Sequence, residues 1–172
     1  MPVYCDLKAM TETLLFEEPA ASAVIRGNEE HPDIYGTALL YSFCGGTLLA
    51  VQAAGLPVDF PACTRAFFGF HIHEGTSCSG NSEDPFADTG THWNPGGCAH
   101  PNHAGDLPPL LGNLGTVLSV VYTDAFRPEE VLGRTLVIHS SPDDFTSQPS
   151  GNSGDKIGCG VIRPTSPDWE NA

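Results

Sequence analysis

Six of the seven histidines in this chain, His71, His73, His92, His100, His103 and His139, crowd its middle, and only His31 stands apart. Imidazole is a borderline ligand suited to copper and zinc, whereas calcium or magnesium would call for an oxygen cage with more carboxylates than Asp106 alone supplies. In His71-Ile72-His73 a strand would put both imidazoles on one face and Ile72 on the other, because side chains alternate with a period of two. Taken alone, that pair is as well explained by chance on a surface, and His139 by a half-buried histidine closing a strand. His100, His103 and Asp106 alone fit a polar loop in which an aspartate caps a turn. The chemistry emerges from the set, since four further histidines beside a rigid pair point to metal binding.

The elements that must position these residues are strands. Short runs rich in β-branched and aromatic residues between turn residues predict strands over 22–25, 36–43, 47–54, 66–73, 116–123, 135–139 and 159–162. Val117, Leu118, Val120 and Val121 blur the alternation in the fifth of these, so a helix fits there too, although Gly115 and the β-branched content favour a strand. Turn signals at Gly27-Asn28, Cys44-Gly45-Gly46, Gly55-Leu56-Pro57 and Gly133-Arg134 favour an antiparallel all-β meander or Greek-key β-sandwich over a βαβ fold. Segments 74–109 and 140–156 are dense in Gly, Pro, Ser, Asn and Asp and too long for plain connections. Both are expected to be functional loops, ordered by what they bind.

The 172 residues fit one domain over 22–164, with an N-terminal extension over 1–21 whose role the sequence does not reveal and a tail over 165–172. Nineteen Gly, 15 Pro and only 16% charged residues suit many turns between short strands. Seven Lys and Arg against 21 Asp and Glu give a net charge of -14, which repels nucleic acid and anionic membranes, so neither is expected as a partner. No apolar run approaches the roughly 20 residues that span a bilayer. The first stretch lacks a basic region followed by an unbroken apolar run. The chain as written is therefore expected to be soluble and cytoplasmic, or exported if a leader has been trimmed. Six cysteines without a CxxC exclude a zinc ribbon or thioredoxin motif and allow one structural bridge plus free thiols.

Five motifs follow in order: Gly69-Phe70-His71-Ile72-His73-Glu74-Gly75; Thr91-His92-Trp93-Asn94-Pro95; His103-Ala104-Gly105-Asp106-Leu107 with Gly112-Asn113 after it; Gly133-Arg134-Thr135-Leu136-Val137-Ile138-His139; and Gly151-Asn152-Ser153-Gly154 leading to Cys159-Gly160-Val161-Ile162. In these motifs the chain resembles the copper/zinc superoxide dismutases. The resemblance implies a Greek-key flattened barrel that binds one copper and one zinc per chain and takes superoxide to dioxygen and hydrogen peroxide.

Carried over by position, it implies copper ligands His71, His73, His92 and His139, and zinc ligands His92, His100, His103 and Asp106, with His92 bridging both metals and carrying a proton. Asp143 resembles the family aspartate that orients a histidine of each site, although in Asp143-Asp144-Phe145 a turn-forming role competes on local sequence. Cys78 and Cys159 occupy the positions of the family's intrachain disulfide. Cys5, Cys44, Cys63 and Cys98 are left unassigned; a buried free thiol is the default, and pairing of Cys98 with Cys78 stays open.

The chain departs from the family at Lys156, which stands where an arginine is usual and would supply the positive charge that draws in the anion. A solvated loop lysine is the plainer reading of that residue. A dismutase-like protein that holds only zinc or hands on copper is the alternative function, against which the complete set of copper histidines argues. An adhesion domain has no use for six convergent histidines. Oligomeric state is not legible, and a homodimer stays open.

Overall fold

A computed structural model of the chain describes residues 5–58 and 66–165. Alternation builds its first strands. In β1 (Ala21–Gly27), Ala21, Ala23 and Ile25 are buried while Val24 and Arg26 face solvent. β2 (Tyr35–Phe43) and β3 (Gly46–Ala54) form a hairpin whose two turn residues, Cys44 and Gly45, have φ of 50° and 83°. Positive φ at both central residues is what the natural twist of a two-residue hairpin requires, and Gly45 takes it at no steric cost.

The remaining strands are β4 (Ala66–Phe68), β5 (Phe70–His73), β6 (Leu110–Gly112), β7 (Val117–Thr123), β8 (Thr135–His139), β9 (Lys156–Val161) and β10 (Arg163–Pro164). One antiparallel sheet runs β5-β8-β9-β1-β2-β3-β7, with β10 also on β1, and β4 pairs β6 in a small second ladder. The non-sequential neighbours β5-β8, β9-β1 and β3-β7 are the crossovers of an antiparallel all-β fold, as expected. Apolar residues from β1 to β9 meet in one core that includes Ile25, Leu40, Leu49, Phe68, Phe70, Ile72, Leu136 and Ile138, to which α1 contributes none. Fully burying side chains of this size is worth about 1.5–3 kcal/mol each.

The structure adds to the sequence expectation in three places. The single strand expected over 66–73 is divided at Gly69, whose N–H bonds Ser141 O and whose carbonyl accepts from His139 N, so the chain leaves one ladder and joins another. Segment 117–123 is the strand that its β-branched content favoured, paired to β3 over its whole length. The N-terminal segment holds a helix, α1 (Leu7–Phe16), capped by Asp6 accepting from Ala9 N at 2.8 Å.

The cysteine reading gains a second bridge and is corrected at Cys98. Cys5 and Cys44, left unassigned by the sequence, form a disulfide that ties α1 to the β2–β3 turn, a second bridge where the cysteine count had suggested one. Cys98 is free but exposed rather than buried, and it does not pair with Cys78. A side chain's burial and its partner are set by how distant segments meet, which spacing does not carry. Cys63 lies outside the described residues. No helix among the described residues is long and apolar enough to cross a membrane.

Candidate metal centre

β5 is buried on both faces: Phe70 and Ile72 enter the apolar core, and His71 and His73 project from the opposite side. His139 ends β8 at a register shift between Ile138 and His139, a local irregularity of the kind that re-aims a side chain. The long loop supplies the rest by running alongside β5. Trp93 N bonds Ile72 O at 2.8 Å and Ile72 N bonds Gly105 O at 2.8 Å, which sets His92 beside His73 and Asp106 beside His71. A side chain at Gly105 would overlap the Ile72 carbonyl, so this close backbone approach needs glycine.

Two groups of ligand atoms result, each with all members within 4.8 Å of one another: His71, His73, His92 and His139; and His92, His100, His103 and Asp106. His92 belongs to both. Hydrogen bonds on the far side of each ring choose the atom that faces inward, because an imidazole donating through one nitrogen presents the lone pair of the other. His71 Nε2 donates to Asp143 Oδ2 at 2.8 Å, His73 Nδ1 to Gly90 O at 3.0 Å and His139 Nδ1 to Gly154 O at 3.3 Å. The Nε2 atoms of His73 and His139 then face each other at 3.2 Å.

In the second group His100 Nε2 donates to Asp143 Oδ1 at 2.9 Å, and Nδ1 lies 3.1 Å from Asp106 Oδ2 without hydrogen-bonding geometry. His92 Nδ1 and His103 Nδ1 lie 2.7 and 3.3 Å from Asp106 Oδ1.

These residues fit metal ions on two counts. His71 Nδ1, His92 Nε2 and His100 Nδ1 are buried without a hydrogen-bond partner, an arrangement that costs about 1–3 kcal/mol per group and that a cation would relieve. The protonation states also fit. Burial, with His92 nearby, lowers His71 to about 4; burial, with His139 nearby, lowers His73 to about 2; burial, with His71 nearby, lowers His139 to about 3. Burial pulls Asp106 upward, but the bonds from His92 and from the His103 N–H overcome it and hold the carboxyl at about 2. Neutral imidazoles and an ionised carboxylate are the ligand forms metals require.

The family model for copper/zinc superoxide dismutase matches residues 45–162, more than half of the chain. The chain belongs to the copper/zinc superoxide dismutase family. It is 37% identical over 146 residues to a copper-zinc superoxide dismutase of Aquifex aeolicus, covering 76% of this chain and 80% of that protein. A copper-zinc superoxide dismutase of Deinococcus radiodurans is 31% identical over 148 residues, covering 76% and 78%. The solved copper/zinc superoxide dismutase of Brucella abortus superposes with a TM-score of 0.69 at 28% identity, over 82% of this chain and 98% of that one.

Other residues that the resemblance picked out have definite places in this member of the family. Asp143 is buried and bridges His71 and His100, while the adjacent Asp144 makes the turn by accepting from Thr146 N and Ser147 N. Cys78 and Cys159 form a disulfide across 81 residues, joining the long loop to β9. Lys156 opens β9 and is not a solvated loop lysine: its side chain is 15% exposed and its ammonium lies 2.7 Å from Asp84 Oδ2. Together with His73, His92 and His139 it lines a cavity of about 600 Å³.

Sequence reasoning did not identify Asp84, nor the carbonyls of Gly90 and Gly154 that orient His73 and His139. The glycines stood inside or beside quoted motifs and offered a signal. Asp84 offered none, being 72 residues from its partner.

Proposed function

We propose that the chain dismutes superoxide to dioxygen and hydrogen peroxide at a copper ion held by His71 Nδ1, His73 Nε2, His92 Nε2 and His139 Nε2. A zinc ion beside it is held by His92, His100 and His103 through Nδ1 and by Asp106. The observation that supports this reading above all is the sharing of His92, whose two ring nitrogens serve two adjacent ligand groups. Three imidazoles and one carboxylate make the closed tetrahedral set typical of structural zinc. Four imidazoles suit copper.

Copper bound there supplies the one-electron chemistry, oxidising one superoxide to dioxygen and reducing a second, with two protons, to hydrogen peroxide. The chain's own residues do the rest. His92 Nε2 would hold copper in one half of the reaction and, once released from the metal, a proton in the other, giving that proton up as it rebinds, while Nδ1 stays engaged on the Asp106 side. Asp143 and the Gly90 and Gly154 carbonyls keep the rings in their ligand tautomers. Lys156 offers an ammonium to an incoming anion at the wall of the histidine cavity.

The two disulfides favour an oxidising compartment, and so export, over the cytoplasm. Elemental analysis, the paramagnetic resonance spectrum of the oxidised copper and superoxide consumption test the function together. One copper and one zinc per chain with catalytic consumption are expected. Zinc binding without copper uptake would establish the zinc-only alternative instead.

A further inference from the structure

Taking the site as a dismutase centre, we propose that Asp84 is a positioning residue for Lys156. It tethers the ammonium at the pocket wall with one N–H left for an anion, and it offsets the lysine's charge so that a small anion is drawn in less strongly than by an unpaired cation.

Lys156 Nζ donates to Asp84 Oδ2 at 2.7 Å and to the Phe86 carbonyl at 3.2 Å. An ammonium carries three donors, so two are committed to one loop and one remains. Asp84 is itself fixed. Its Oδ1 accepts from Phe86 N at 3.0 Å, its N–H donates to Asn81 Oδ1 at 3.0 Å, and its carbonyl accepts from Asn81 N and Ala87 N. Phe86 packs with Val137 and Cys159 against Cys78, so the disulfide anchors this loop to β9 just beyond Lys156. One oxygen of Asp84 thus builds the loop and the other is free to hold the lysine.

Lys156 also stands between two cavities. On one side is the histidine cavity. On the other is a hollow of about 400 Å³ whose lining includes Glu30, Glu83, Asp84 and Asp155. A carboxylate in contact with the ammonium turns a cation into a dipole as felt by a distant anion, and the partial exposure of Asp84, 40%, makes the effect sensitive to salt. Lys156 is the only Lys or Arg lining the histidine cavity among the described residues, so its compensation falls on the pocket's single positive group.

The substitution Asp84→Asn separates the two roles of the carboxyl, because an amide carbonyl can still accept from Phe86 N while the charge is gone. The first measurement uses the zinc-loaded protein without copper and observes the Lys156 ammonium by NMR with nitrogen-labelled lysine. A slowly exchanging ammonium in the wild type that exchanges fast in Asp84→Asn is the expected result. Fast exchange in both would overturn the tether.

The second measurement uses the fully loaded protein and the affinity of azide, read from the copper absorption spectrum. Asp84→Asn should tighten azide about fivefold at low ionic strength, with the gain shrinking toward nothing near 1 M salt. In a Lys156→Gln background the gain should fall to less than half of that. Equal gains in both backgrounds would show Asp84 acting as a distant charge and not through Lys156, which overturns the positioning role. Should azide fail to bind the wild type at all, the dismutase reading fails and the ammonium exchange alone decides the tether.

Discussion

His71 and His100, one from each ligand group, are joined through a single carboxylate: Asp143 accepts from His71 Nε2 at 2.8 Å and from His100 Nε2 at 2.9 Å. Both rings and the carboxylate have no exposed side-chain surface. The carboxyl stays ionised although burial pulls it upward, because the Phe145 N–H and the two imidazoles together hold it below the usual range. Gly151 packs against this bridge and, at φ 69°, admits no side chain without overlapping Asp143 Oδ1.

Asp143→Asn therefore should weaken both sites at once. An amide can accept from only one of the two rings and must present N–H to the other, turning that imidazole to the wrong tautomer. Competition with chelators should show copper and zinc affinity each lowered about 10–100-fold. An effect confined to one metal would contradict the shared role.

Asp106→Ala should remove zinc and loosen the long loop while copper remains, more weakly held. The carboxylate is the sole anionic member of its group, and ligand loss appears directly as lost folding stability. Metal content and thermal unfolding check this; unchanged zinc would contradict the assignment.

Substitutions at Lys156 should grade the rate without emptying the metal sites. Lys156→Arg should raise dismutation, because a planar guanidinium can hold an anion through two bonds and still reach Asp84. Lys156→Glu should lower it by on the order of tenfold or more, since the pocket wall reverses sign. The measurement is superoxide decay at equal copper content, and identical rates in both variants would remove Lys156 from the mechanism.

The two disulfides should separate by what they anchor. Cys78→Ser opens a loop of 81 residues and should cost about 4 kcal/mol in the chain-entropy account, with looser metal binding, because the Cys78 loop carries Asp84 and leads to His92. Cys5→Ser should lower the melting temperature without changing metal affinity, since α1 and the β2–β3 turn supply no residue to either ligand group. Loss of metal in Cys5→Ser would show a coupling that the contacts do not contain.

Much of the site was legible because it is built from local rules. A period of two predicted that His71 and His73 share a face opposite Ile72, and β5 buries them in that way. The resemblance implied seven ligands and Asp143, and the structure brings those eight side chains together. Turn residues at 44–46 indicated the hairpin that Cys44 and Gly45 form.

What only the tertiary structure decided is long-range pairing. The Cys5–Cys44 bridge, the division of the 66–73 segment between two ladders and the Asp84–Lys156 contact depend on which segments meet in space. Local propensity acts over one turn or one strand. A contact across 72 residues is chosen by the packing of the whole core, and neither residue type nor spacing records that choice.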